Sequence, residues 1–156
     1  MREFKIGGKY NPLKSIKFKE LINSTYDNKY YNCDPYKENI EIRIHIIIYI
    51  KIPLYFLKKK TQEAAKELIK PKSKMYDNKI KALILGALNG IAYHNDNTLI
   101  TTIEKRYSKK SEIQVWMQTK NEAAAENFDM MKYFNENIEE KNRYKKVSNT
   151  WVYIKK

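Results

Sequence analysis

Seven isoleucines at alternate positions (Ile40, Ile42, Ile44, Ile46, Ile48, Ile50 and Ile52) constrain this chain more than any other feature. Side chains of an extended strand point to two faces in turn, so this spacing puts all seven on one side of a β-strand. The other side carries Glu41, Arg43, His45, Ile47, Tyr49 and Lys51, and reads as mixed and partly solvated. His45 falls there as a surface or cross-strand residue. Pro53 ends the strand, because proline cannot donate to a ladder.

The apolar strand face needs a cover, and one stretch offers it. Within Lys72–Thr98 the apolar residues Ile80, Leu83, Ile84, Ala87, Leu88 and Ile91 recur at the spacing of one buried helical face. Asn89-Gly90 is a plausible C-terminal cap. Around this pair the chain reads as smaller elements. Arg2–Ile6 is a short strand before the Gly7-Gly8 turn, and part of Asn11–Tyr31, near Phe18–Ile22, is helical. Thr61–Ile69 has good helix formers, with Thr61 as cap and Pro71 as stop. Leu99–Tyr107 and Glu112–Thr119 read as two strands joined by the basic turn Ser108–Ser111 into a hairpin. The expected fold class is α+β, with a mixed or antiparallel sheet and a few helices over residues 1–120. Residues 121–156 form a helical extension that docks on the core or mediates dimerisation. Within Asn121–Lys146 a helix starts at Asn121, with a partial apolar stripe of Phe128, Met131 and Ile138, and Thr150–Ile154 is a short last strand.

The chain's charge is distributed unevenly. Of 31 basic and 18 acidic residues, seven and six lie in Asn121–Lys156, so +12 of the net +13 belongs to residues 1–120. Such an excess favours a polyanionic partner, unless it is a lysine-rich surface kept soluble by charge. No segment joins a basic face to a large apolar one, so nucleic acid ranks above an anionic membrane. The single Cys33 excludes an internal disulfide or a cysteine-based zinc site, and no secretory signal or membrane-length apolar run is present. A cytoplasmic location is the expectation.

Two acids flank the apolar helix. Asp77 at its start can serve the helix N-terminus, and Asp96 in His94-Asn95-Asp96-Asn97 can serve a turn. If the two met, through the path of the chain or through a dimer partner, they would form a hard-oxygen site for a divalent cation such as Mg2+. Lys81, one turn after Asp77, could steady a phosphodiester transition state or simply pair with Asp77. Lys70, Lys72 and Lys74 make a basic approach to this point. Tyr107, beside Arg106 and Lys109–Lys110, and Trp116 could stack on bases or pack within the sheet.

The segment KMYDNKIKALILGALNGIAYHNDNTLI resembles the signature of the RusA-type Holliday junction resolvases. That pattern runs roughly K-P-D-x-D-N-x-x-K-x-x-x-D-A-L-N-G, then Y/W-x-D-D-x-Q-[VI]. It is matched by Asp77, Asn78, Lys81, Ala87, Leu88, Asn89, Gly90, Tyr93, Asp96 and Ile100. FKIGGKYNP resembles the family's opening and IEKRYSKKSEIQVWMQ its closing hairpin, so the likeness covers about residues 3–119. It implies a homodimer that binds four-way DNA junctions and cuts them with Mg2+ in recombination and repair. By the same resemblance Asp77 and Asp96 are catalytic and bind the metal, and Lys81 is catalytic. Lys72, Lys74, Lys105, Arg106, Lys109 and Lys110 are the DNA-binding candidates. Met75, Gly86 and Asn95 stand where the family has acids, and Leu99 where it has glutamine. A thioether is a poor ligand for Mg2+, so the alternative is a module that binds junctions without cutting them.

Overall fold

The isoleucine strand lies inside the sheet rather than at its edge. In a computed structural model of the chain, residues 1–7, 15–66, 68–71, 77–134, 144–147 and 150–153 are described. The elements are β1 (Arg2–Gly7), α1 (Ser15–Tyr30), β2 (Glu41–Lys51), α2 (Lys58–Ala65), α3 (Asp77–Leu88), β3 (Thr98–Ser108), β4 (Glu112–Thr119), α4 (Lys120–Glu126), β5 (Tyr144–Val147) and β6 (Thr150–Tyr153). A further helical turn covers residues 130–134. The main sheet has the order β1-β4-β2-β3, and β5 and β6 form a separate antiparallel pair. The fold is a small α+β domain with a mixed four-stranded sheet.

The expected hairpin is absent. β3 pairs with β2 in parallel, with Glu41 opposite Thr98 and Ile48 opposite Lys105. β4 pairs with the other edge of β2 in antiparallel fashion, with Ile46 opposite Val115. The turn after β3 therefore steps across the end of β2, where Ile52 N donates to Ser108 O at 3.0 Å and Lys51 N to Ser111 Oγ at 3.2 Å. The reason lies in β2, whose residues from Ile42 to Ile48 bury the side chains of both faces. A strand buried on both faces is stable in the middle of a sheet, where neighbours on each side complete its backbone bonds.

The front face is the main core. Ile42, Ile44, Ile46 and Ile48 join Phe4, Ile6, Ile113, Val115 and Met117 from the flanking strands. The cover is α3, through Ile80, Leu83, Ile84, Ala87 and Leu88, beside α1, through Phe18, Ile22 and Tyr26. α1 is longer than the sequence suggested: its buried stripe of Phe18, Ile22 and Tyr26 is narrow, and most of its other residues are polar or charged. Gly90, with φ of 90°, ends the α3 region in a conformation that glycine alone adopts without strain, and its N–H reaches Tyr93 O at 2.7 Å. α2 begins at Lys58, so Thr61 is not its cap; the Thr61 hydroxyl instead donates to Phe56 O.

The rear face is covered over its middle, so the mixed, partly solvated reading holds for the half-buried Glu41, Arg43 and Tyr49 and the exposed Lys51 but not for the buried His45. Ile47 is buried with Met130 and Phe134, and Met1, Tyr49, Trp116, Phe128 and Met131 pack around them. The helix expected to start at Asn121 is α4, which begins one residue earlier at Lys120 and is short. α4 carries a capping box, in which Thr119 and Glu122 satisfy each other's backbone N–H groups, and it stops at Asn127 in the left-handed region. Residues 144–147 form strand β5. The expected strand near Thr150 is present as β6, and Ile138 lies outside the described residues. Gln118 fixes this extension to the sheet: its amide N–H donates to Phe128 O at 2.7 Å and its oxygen accepts from Met130 N at 2.9 Å.

Candidate functional site

The end of the sheet where β2 and β3 finish gathers most of the sequence's candidate chemistry. Asp77 opens α3, at the positive end of the helix dipole. Lys105 reaches it from β3, with Nζ 2.9 Å from Oδ1 and the two side chains 11% and 21% exposed. A pair this sheltered is held more firmly than an ordinary surface pair, which contributes under about 1 kcal/mol. The cation that neutralises Asp77 is thus Lys105 from across the sheet, not Lys81 one turn along α3. Lys81 is half-buried.

Asp96 lies elsewhere. It is exposed in the loop between α3 and β3. Asn97 shapes that loop: its oxygen accepts from His94 N at 2.8 Å, and its amide donates to Lys37 O at 2.7 Å and Ile40 O at 3.1 Å. Asn95, where the family has an acid, bonds to Asn89. α3 runs back along β3, so Asp77 sits by Lys105 while Asp96 precedes Thr98. Seven residues of strand separate Lys105 from Thr98, about 23 Å at the usual rise. The two carboxylates therefore lie toward opposite ends of β3, and one chain does not bring them together.

The DNA-binding candidates divide in a similar way. Lys109 and Lys110 are exposed in the turn after β3, and Lys110 makes a loose pair with Glu112 at 3.7 Å. Lys105 is committed to Asp77. Arg106 is committed to Glu104 at 2.6 Å and is 12% exposed. Lys72, Lys74 and Met75 lie outside the described residues. Tyr107 packs edge-on against Phe56, with ring centroids 5.4 Å apart, and Trp116 likewise against Phe134, so both aromatics serve the packing.

Gly86, another position where the family has an acid, is exposed on α3. A Cβ there would stand 3.2 Å from Lys19 Nζ of α1. An acid at this position would meet a cation from the neighbouring helix, whereas glycine leaves that space to the lysine.

Sequence reasoning missed the polar cluster on the rear face. His45 is buried and stacks on Phe134, with ring centroids 3.9 Å apart. Its Nε2 lies 3.0 Å from Glu104 Oε1, and its Nδ1 2.5 Å from Thr102 Oγ1. Burial pushes the Glu104 carboxyl up, but the bonds from His45 and Arg106 outweigh that and hold it below its ordinary range. An ionised Glu104 only accepts, so His45 Nε2 carries a hydrogen. The cross-strand reading of His45 holds, and the surface reading does not. Glu104 stood in the sequence as an acid within an otherwise mixed strand, and only the parallel register shows what it faces.

Mg2+ is the cofactor that the resemblance implies, and the residues of one chain do not fit it. Asp77 is neutralised by Lys105, Asp96 is remote, and position 75 supplies a thioether. Among the described residues no group of three or more His, Cys, Asp and Glu side chains is placed to hold a metal. Among the same residues no helix is long and apolar enough to cross a membrane.

Comparison with known families adds one finding. The family model described as Endodeoxyribonuclease RusA matches residues 2–118, which is β1 to nearly the end of β4. No curated protein and no solved structure matches the chain.

Proposed function

The chain belongs to the RusA endodeoxyribonuclease family, and from that premise we propose that it binds four-way DNA junctions as a homodimer and nicks their strands. The observation that supports this reading is the sheet end that carries both Asp77, paired with Lys105, and, four and five residues further along the chain from Lys105, the exposed turn lysines Lys109 and Lys110. An acid near exposed lysines suits a site that meets a phosphate backbone and acts on it. Asp77, Lys81 and Asp96 are the catalytic candidates, with Asp77 and Asp96 as the oxygen donors. Because one chain keeps those carboxylates apart, cleavage calls for a second copy to complete the site.

A second reading has its own support. The Asp77–Lys105 pair, and methionine in place of an acid at position 75, suit a protein that holds junctions without cutting. A labelled synthetic four-way junction and a linear duplex, each incubated with Mg2+ and with EDTA, separate the two. Paired nicks that need Mg2+ and vanish in Asp77→Asn support the nuclease. A gel shift without nicks supports the binding module. Equal binding to junction and duplex overturns both.

A further inference from the structure

Just beyond β2 the chain turns three large apolar side chains into solvent. Leu54, Tyr55 and Leu57 are 94%, 83% and 81% exposed. Between them Phe56 turns inward against Tyr107, and its N–H closes a turn on Pro53 O at 3.2 Å. Thr61 N donates to Leu57 O at 2.9 Å, so the turn leads straight into α2. Tyr55 stands edge-on to Phe56 at 5.4 Å, and Lys60 Nζ lies 4.3 Å over the Phe56 ring. The three apolar groups are thus held on an anchored turn. Exposing three such groups in a row forgoes burial, and this points to a surface that a partner covers.

The surroundings identify the partner's chemistry. Lys51, Lys58, Lys59, Lys109 and Lys110 are all exposed near this tip, brought together by the Ile52–Ser108 and Lys51–Ser111 bonds. A second copy docked tip to tip would press lysines against lysines. A polyanion with accessible apolar faces satisfies both features, and DNA offers such faces where base stacking is interrupted. Apolar side chains enter base steps as wedges, at a cost in unstacking. At a branch point that cost is already partly met, and an aromatic ring can stack on the exposed base.

We propose that the Pro53–Lys60 turn is a branch-point wedge. Leu54 and Tyr55 cover the open base faces at the centre of a DNA junction, while Lys58, Lys59, Lys109 and Lys110 hold the phosphates of the arms. This rests on the reading that branched DNA is the partner, and it names the element that distinguishes a junction from a plain duplex. The tip lies at the sheet end that carries Asp77, through Phe56 on Tyr107 and Lys105 on Asp77.

The test uses the full chain and DNA carrying 2-aminopurine, either at the branch point of a four-way junction or at the centre of a matched duplex. The wild-type chain changes the probe's emission in the junction only. The Leu54→Ser/Tyr55→Ala variant loses that signal and binds the junction about tenfold more weakly, the scale of one lost base-stacking contact, with duplex affinity nearly unchanged. The Lys58→Ala/Lys59→Ala variant instead weakens both DNAs alike and lowers the salt slope by about two. These side chains are exposed, so thermal melting of every variant matches wild type. Unchanged junction binding by the apolar variant, or equal losses on both DNAs, overturns the wedge. So does a sedimentation shift from dimer to monomer in that variant, which would make the tip a contact between copies. A wild-type chain that binds junction and duplex equally fails earlier, at the functional reading itself.

Discussion

Replacing Glu104 by glutamine asks whether the rear face of the sheet is held by charge. Glu104 Oε1 accepts from His45 Nε2 at 3.0 Å and from Arg106 at 2.6 Å, and its side chain is 7% exposed. Hydrogen bonds to a charged group contribute roughly 1.5–3 kcal/mol each. The two share one oxygen, so adding them overcounts. Glutamine keeps the shape and one acceptor and removes only the charge, so the expected loss is about 2–3 kcal/mol, just under the cost of breaking a buried pair outright. In a chain of this size that lowers Tm by roughly 5–10 °C. Urea unfolding followed by circular dichroism measures the loss at pH 7, and repeating it in acid gives the sign. Glu104 is held below its ordinary value of 4.5, so its contribution is complete above that pH and is lost as pH falls through the folded-state value. The gap between wild type and variant therefore closes on acidification. A variant within about 0.5 kcal/mol of wild type at pH 7, or a gap that persists well below pH 4.5, refutes the argument.

Lysines committed within the fold and lysines in solvent separate on DNA. Lys109→Ala and Lys110→Ala each lower the salt slope of junction binding by about one, while Lys105→Ala acts mainly on thermal stability; equal slopes for all three count against the placement of Lys105. Gly86→Ala raises stability by about 1 kcal/mol in a melt, because alanine suits a helix and the Lys19 amine is free to swing aside; a lower Tm shows that Lys19 cannot yield. Phe134→Ala costs about 3 kcal/mol, as expected for an aromatic fully packed against His45 and Trp116. A loss below about 1 kcal/mol would mean that the extension only rests on the sheet.

The front half of the fold was legible because two independent periodicities agree. The alternate isoleucines give the strand face, and Ile80 to Leu88 give the helix that covers it. The rear half was legible only as a mixed, partly solvated face, since nothing local shows that Thr102, Glu104 and Phe134 arrive from distant parts of the chain to bury His45. The same gap hid the order of the strands. Ser108–Ser111 has the composition of a hairpin turn, and nothing local shows that it steps over a third strand. Of the candidate site, the sequence located Asp77 and Asp96 and left their meeting open. The register of β2 with β3 sets them apart, a fact of topology rather than composition. Lys105 and Arg106 look like free cations in sequence and are partnered in space. The exposed Leu54, Tyr55 and Leu57 carried a signal only in hindsight, as an apolar cluster directly before three lysines.

The strand order also governs how this chain can come into being. β1 pairs with a strand more than a hundred residues away, as in Arg2 with Met117, and both neighbours of β2 arrive after a long delay. Among the strands of the main sheet no hairpin exists to form first. During synthesis the helices α1 and α3 can form early, but Ile40–Ile52 waits without a partner until residues 98 to 119 have emerged. Sheets closed only by distant pairings assemble slowly. An unpaired run of alternating isoleucines with little charge is the kind of segment that seeks pairing with another copy. The cost of building the sheet around its most apolar strand is thus borne before the protein is complete, as a dependence of yield on temperature and rate of expression.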